Sequence, residues 1–171
     1  MAKYESGFIG AGSMGGALAQ AAVKAVGGER VAVSCSTPEH SAEAAARLGC
    51  NPETAETILW ESRFVFLGVK PQMMAGLLES IAPTLAARKD RFVLASMAAG
   101  LTARRIQELA GGNYPVIRLM PNTPVAVGAG VIQFCGRDTR EEELEDFQTL
   151  LAPAGLVDQV DEGLIDAACA V

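Results

Sequence analysis

The sequence predicts an α/β fold: a doubly wound, mostly parallel sheet with helices on both faces. Three observations predict it. Short β-branched runs alternate with longer stretches of helical periodicity along the 171 residues, the pattern of repeated βαβ units. Half of the residues are hydrophobic but only 5% are aromatic, so the core must consist mainly of Ala, Val, Leu and Ile, which suits small-residue helices on a parallel sheet. A glycine-rich segment, Gly10-Ala11-Gly12-Ser13-Met14-Gly15, follows the first strand and opens the first helix, where such folds place a phosphate-binding turn.

Strands are expected at about 5–10, 30–35, 63–69, 91–96, 115–120, 130–135 and 155–160. The first helix, Met14–Val26, is Ala-rich and stops at Gly27-Gly28, a C-terminal signal. Thr37-Pro38-Glu39 opens the second with a cap, a proline in the first position and an acid in the first turn. A short helix follows at 53–61, another runs from about 72 to 87, and Thr102 caps one that ends at Gly111-Gly112. Thr139 is expected to cap Arg140–Leu151, with Leu144, Phe147, Leu150 and Leu151 as its apolar face and Glu141-Glu142-Glu143 as a solvated one. Residues 1–160 therefore read as one domain, and Asp161–Val171 as the start of a helix that leads into another.

The formal charge of −6 comes without a basic cluster, which argues against nucleic acid or an anionic membrane as partner. No stretch is long and apolar enough to span a bilayer, and no basic-then-apolar leader opens the chain. Cys35, Cys50, Cys135 and Cys169 lie far apart with no CxxC pair, so no metal site is expected and the thiols read as the reduced cysteines of a cytoplasmic protein. His40 is the single histidine, which leaves little for a metal triad or a Ser-His-Asp relay.

In the glycine turn, Gly10 permits the bend, Gly12 lets the backbone approach a pyrophosphate and Gly15 lets helix and strand pack closely. Free amides and the positive end of the helix dipole then hold the phosphates. This is the Rossmann-like arrangement. An empty glycine turn would share the spacing, but the flanking strand and helix favour a ligand. NAD-binding domains carry an acid at the end of the second strand to hold the ribose 2′-hydroxyl. Here Val33-Ser34-Cys35-Ser36-Thr37-Pro38 has none before Glu39, and the hydroxyls of Ser36 and Thr37 can meet a 2′-phosphate. NADP(H) is therefore favoured and NAD(H) less so, although the usual arginine is missing and Ser36 and Thr37 also serve to cap a helix. Three further strand ends carry Val69-Lys70-Pro71, Met97-Ala98-Ala99 and Met120-Pro121-Asn122-Thr123-Pro124. Spacing alone leaves each open between a ligand contact and an ordinary loop.

Taken together, IGAGSMG, FLGVKPQ, SMAAGLT, VIRLMPNTPVAVGAG and VDEGLIDA resemble, in order and spacing, the pyrroline-5-carboxylate reductases, from about Ser6 to the last residue. The resemblance implies NAD(P)H-dependent reduction of a small cyclic imine, Δ1-pyrroline-5-carboxylate, to L-proline, the last step of proline biosynthesis. It implies that Ile9, Gly10, Ala11, Gly12, Ser13 and Met14 cradle the pyrophosphate and that Ser36 or Thr37 meets the 2′-phosphate. Val69, Lys70 and Pro71 would line the nicotinamide riboside with Met97, Ala98 and Ala99 beside it, and Asn122 and Thr123 would face the substrate. Two departures stand out. Ala55 occupies the position of an asparagine that contacts the adenosine ribose in many members, with Asn51 nearby but out of register. The family's helical second domain, which opens with an SGSGP-like motif, binds the imine and makes the homo-oligomer, is absent, so this chain would supply the cofactor half. A protonated imine already accepts hydride, so the protein mainly has to place the two reactants, and no catalytic residue is assigned. Another NADP-dependent reductase of related fold, or a sensing domain without chemistry, remains the alternative.

Overall fold

The computed structural model describes residues 2–169. Eight strands, β1 (Tyr4–Ile9), β2 (Val31–Ser34), β3 (Asn51–Pro52), β4 (Ser62–Leu67), β5 (Val93–Ser96), β6 (Val116–Pro121), β7 (Gly130–Arg137) and β8 (Gly155–Gln159), form one sheet. Their order is β3-β2-β1-β4-β5-β6-β7-β8. The helices are α1 (Ser13–Val26), α2 (Pro38–Leu48), α3 (Ala55–Glu61), α4 (Pro71–Ala87), α5 (Ala103–Ala110), α6 (Glu141–Leu151) and α7 (Glu162–Cys169). The expected doubly wound sheet is present, and the order reverses beside β1, which puts the ligand crevice between the β1 and β4 ends.

Helices cover both faces as two separate cores. On one, Leu18, Ala19 and Ala22 of α1, Ala44 and Ala45 of α2, and Leu144 and Phe147 of α6 pack on the sheet. Phe147 lies among Phe64, Phe66 and Phe134 with ring centroids 5.1–6.1 Å apart, so five of the six phenylalanines gather in this core. The other face holds Ile58, Met74, Leu78, Ile81 and Ile106 from α3, α4 and α5.

The seven expected strands lie within three residues of those observed. Three details differ from the sequence expectation. Asn51–Pro52 adds a two-residue edge strand, too short to show a period; the Asn51 amide donates to the Gly28 and Val31 carbonyls (3.0 and 3.1 Å) and so pins that edge. β7 runs antiparallel to β6, because the residues between Pro121 and Gly130 hold only a 3₁₀ turn, Thr123–Val127, and a parallel return needs a full crossover. The third is a correction at α6: Arg140, not Thr139, occupies the N-cap, and Glu143 is not solvated. It is 4% exposed, takes the Arg140 amide at 2.7 Å and grips the Arg91 guanidinium with both oxygens (2.7 and 2.8 Å). The Glu141–Glu142 pair stays exposed as expected.

Candidate functional site

The β1–α1 turn sits at the carboxyl edge of the sheet. Gly10 has φ +93°, donates its N–H to the Ser34 carbonyl of β2 (2.8 Å), and lies beside Gly68, whose N–H donates to the Ile9 carbonyl (2.8 Å). A Cβ on Gly10 would stand 2.8 Å from the Gly68 carbonyl oxygen, and one on Gly15 would run into the Gly10 carbonyl. Backbone thus packs on backbone, leaving no room for side chains. Gly12 is the opposite case: a Cβ there meets nothing within 4 Å. It is the N-cap of α1 and provides no side-chain cap, so the first amides of α1 have no intrahelical partner. Open space at Gly12 over uncapped amides fits a dinucleotide diphosphate.

This turn opens on a cavity of about 250 Å³ bounded by Gly12, Ser13, Met14 and Gly15, by Gly68, Val69 and Lys70, and by Met97, Met120 and Pro121. Three strand ends expected to act together therefore do converge. Lys70 is exposed and is the N-cap of α4, again without a side-chain cap, and Pro71 opens that helix. Ile9 and Ala11 lie buried beneath the turn. Ala98 is also buried, at 4% exposure, while Ala99 is exposed; of that loop it is Met97 that reaches the cavity. The cavity wall is therefore rich in thioether, which adapts to a flat ring.

A second cavity, about 510 Å³, lies beyond the end of β2 and is lined by Ser34 to Pro38, Ser41 and Ala42 on one side and Pro52 to Ala55 on the other. Here Thr37 caps α2, its Oγ1 accepting the His40 N–H at 3.1 Å, which leaves the hydroxyl proton free to donate. Ser36 Oγ is 3.3 Å from His40 Nδ1. Ser41 Oγ donates to the Thr37 carbonyl and accepts the Cys35 N–H, fixing the turn. Nothing in the spacing marks Pro52–Thr54 as cavity wall; only the pairing of β3 with β2 brings them there. Glu53 accepts from the buried Tyr4 hydroxyl at 2.5 Å, and burial, with this bond, raises the Tyr4 pKa.

The Asn122 side-chain Oδ1 accepts the Val131 N–H (2.9 Å) and so holds the β6–β7 loop, with Thr123 opening the 3₁₀ turn; neither is brought into the two cavities described. Beneath them, the fully buried Arg118 reaches Glu162 (3.3 Å) and Asp166 (2.7 Å) of α7, and Glu162 also accepts the first amide of α5, from Ala103, at 2.8 Å. One side chain on α7, Glu162, thereby ties together β6, which carries Met120, and α5, the helix that follows Met97. Hydrogen bonding to Arg118 holds the Asp166 carboxyl below its ordinary range.

Cys35 and Cys50 are half-buried and Cys135 is buried, all as free thiols; burial pushes the Cys50 thiol up to about 11, so it stays protonated near neutrality. The side chain of Cys169 lies outside the described residues. Among the described residues no helix is long and apolar enough to cross a membrane.

Residues 5–100 match the family model described as NADP oxidoreductase coenzyme F420-dependent. Across 95% of its length the chain is 35% identical to the pyrroline-5-carboxylate reductase of Corynebacterium melassecola, and across 94% it is 32% identical to pyrroline-5-carboxylate reductase 3 of Macaca fascicularis. It spans 62% and 58% of those two proteins. The crystal structure of the Plasmodium falciparum pyrroline carboxylate reductase, which has NADP bound, superposes with a TM-score of 0.83 at 24% identity, over 99% of this chain and 62% of that one. The resemblance read from the motifs thus extends to sequence and fold alike.

Proposed function

The chain belongs to the NADP oxidoreductase coenzyme F420-dependent family, and from that premise we propose that it is the cofactor-binding half of an NADPH-dependent enzyme reducing Δ1-pyrroline-5-carboxylate to L-proline. The observation that carries this reading is the convergence of the glycine turn, Val69-Lys70, Met97 and Met120-Pro121 on one cavity. Residues 1–160 form the dinucleotide domain, and 161–171 lead toward a helical domain that binds the imine and joins two copies in the cytoplasm.

Bound NADPH supplies the hydride. The amides of α1 would hold its diphosphate, Ser36 and Thr37 its 2′-phosphate, and Val69, Lys70, Pro71 and Met97 the riboside and ring. The exposed Lys70 ammonium stands at the cavity rim, where it can offset the carboxylate of the substrate. Met14, Met97 and Met120 line the cavity and would exclude water from the side where a nicotinamide ring would lie, which would favour transfer to a positioned imine. No residue at this edge is assigned as acid or base, since a protonated imine already accepts hydride and mainly has to be positioned.

The deazaflavin-dependent reading rests on the match to residues 5–100, whereas the similarity to the pyrroline-5-carboxylate reductases covers 95% of the chain. Fluorescence titration of the chain with NADPH and NADH tests the proposal. Saturable binding is expected, NADPH tighter by about tenfold, or roughly 1.4 kcal/mol, with no steady-state proline formation by this chain alone. Equal affinities would remove the NADP preference, and binding of neither would remove the cofactor reading altogether.

A further inference from the structure

We infer that the amino edge of the sheet carries a second binding site, a cleft that takes a small carboxylate on the Arg137 guanidinium. It lies at the opposite edge from the glycine turn and does not depend on the dinucleotide proposal. The cleft, of about 560 Å³, runs along α5 to the loop after it, with Arg104 and Glu108 on the helix, Asn113 on the loop and Arg137 at the end of β7. Of the ten arginines in the chain, eight stand within ion-pair distance of a carboxylate; among the described residues Arg137 and Arg47 do not. No hydrogen bond holds the Arg47 side chain among those residues, whereas Arg137 Nε donates to Gln107 Oε1 at 3.0 Å.

Gln107 is 4% exposed, and its Nε2 is committed to the Tyr114 carbonyl (2.9 Å) and to Asp138 Oδ2 (2.7 Å). Asp138, next to Arg137 in the chain, has φ +57° and is the one left-handed residue other than glycine among the described residues, a conformation that side chains disfavour. Its carbonyl is held by Arg91 at 3.0 Å. The root of the Arg137 guanidinium is thus fixed by a buried amide and a constrained turn. Satisfying Gln107 uses one N–H and leaves the two terminal nitrogens, a planar fork that matches a carboxylate. Charge narrows the ligand further. Two arginines and one glutamate line the cleft, a net charge of one positive, and Glu108 is already shared by Arg104 (3.5 Å) and Arg105 (3.2 Å). The carbonyl end of α5, at Gly111, also opens on the cleft, and that end of a helix repels anions. A phosphate dianion meets this repulsion more strongly than a monocarboxylate seated on Arg137.

Amide and arginine Nε NMR spectra of the isotope-labelled chain, titrated separately with acetate and with inorganic phosphate, test this. Acetate is expected to shift the Gly111, Gly112 and Asn113 amides and the Arg137 Nε signal saturably, with phosphate binding there more weakly. Arg137 is exposed, so Arg137→Gln is expected to keep the wild-type spectrum elsewhere and to bind acetate at the cleft about tenfold more weakly or worse, as loss of a charge-assisted pair requires. Arg137→Lys, which keeps the charge and loses the fork, is expected to fall between the two. No saturable shift at the cleft in the wild type, or shifts confined to the Gly10–Gly15 turn, would overturn the site without recourse to any variant. Equal acetate affinity in wild type and Arg137→Gln would reduce Arg137 to a structural partner of Gln107. Phosphate binding the cleft more tightly than acetate would overturn the carboxylate assignment.

Discussion

The two edges of the sheet are built in opposite ways. At the amino edge several charged and amide side chains are matched, although the buried Ser62 hydroxyl at the start of β4 has no hydrogen-bond partner among the described residues. The buried Arg88 guanidinium takes both Asp90 oxygens (2.7 and 3.0 Å) and the Leu59 carbonyl (2.8 Å) and lies over the Phe92 ring. Arg91 is gripped by Glu143. Gln107 donates to Tyr114 and Asp138 and accepts from Arg137. At the carboxyl edge, α1 and α4 begin without side-chain caps, glycines leave an open cradle, and both cavities described above lie there. Where the chain closes its own hydrogen bonds it gains stability; where helix amides are left uncapped they stay open to an anion.

Breaking the matched edge has the largest expected effect. Glu143→Ala removes a bidentate pair and the acceptor for the Arg140 amide. A net loss of about 2–3 kcal/mol is expected, below the cost of breaking a fully buried pair because the Arg91 side chain is 35% exposed. Urea denaturation measures it, and NADPH affinity is expected to stay within about twofold. A parallel fall in affinity would show that the edges are not separable.

Filling the open edge gives the converse. Gly12 has φ −72° and free space at its Cβ, so Gly12→Val is expected to leave the melting temperature nearly unchanged. NADPH should bind at least about tenfold more weakly, roughly 1.4 kcal/mol, because the isopropyl group takes the diphosphate's place. Unaltered NADPH binding in a folded variant would put the diphosphate elsewhere.

The smallest effect sharpens the comparison through pH. Burial pushes the Glu143 carboxyl up, but Arg91 and the Arg140 amide outweigh it and hold it below the ordinary range; hydrogen bonding to Arg88 does the same for Asp90. A carboxyl held low in the folded state stabilises above its unfolded pKa of about 4. That contribution is lost as pH falls through about 4 and below. Acid unfolding followed by circular dichroism is expected to show this slope in the wild type and a shallower one in Arg91→Met. Equal slopes would mean that Glu143 is not held by Arg91.

Much of the carboxyl edge was legible in the sequence because its signals are local. A Gly at φ +93°, a Pro at the start of α2 and threonine caps at Thr37 and Thr102 follow from which residues tolerate those backbone states. The Leu144, Phe147, Leu150 and Leu151 face of α6 shows its period directly and is buried as expected. Glu143 was not legible, since in a run of three glutamates nothing local distinguishes the one that turns inward. Its fate depends on Arg91, which comes 52 residues earlier.

By itself, then, the sequence determined the succession of seven of the eight strands and of the helices, the glycine turn and the absence of an acid at the end of β2, because each depends on a few adjacent residues. Tertiary structure decided the rest. It set the reversal of β7, the pairing that makes Pro52–Thr54 a cavity wall, the convergence of Met14, Met97 and Met120, and the burial of Glu143 and Arg118. These depend on contacts between residues far apart in the chain, and a long-range contact leaves no period or spacing in the sequence that makes it.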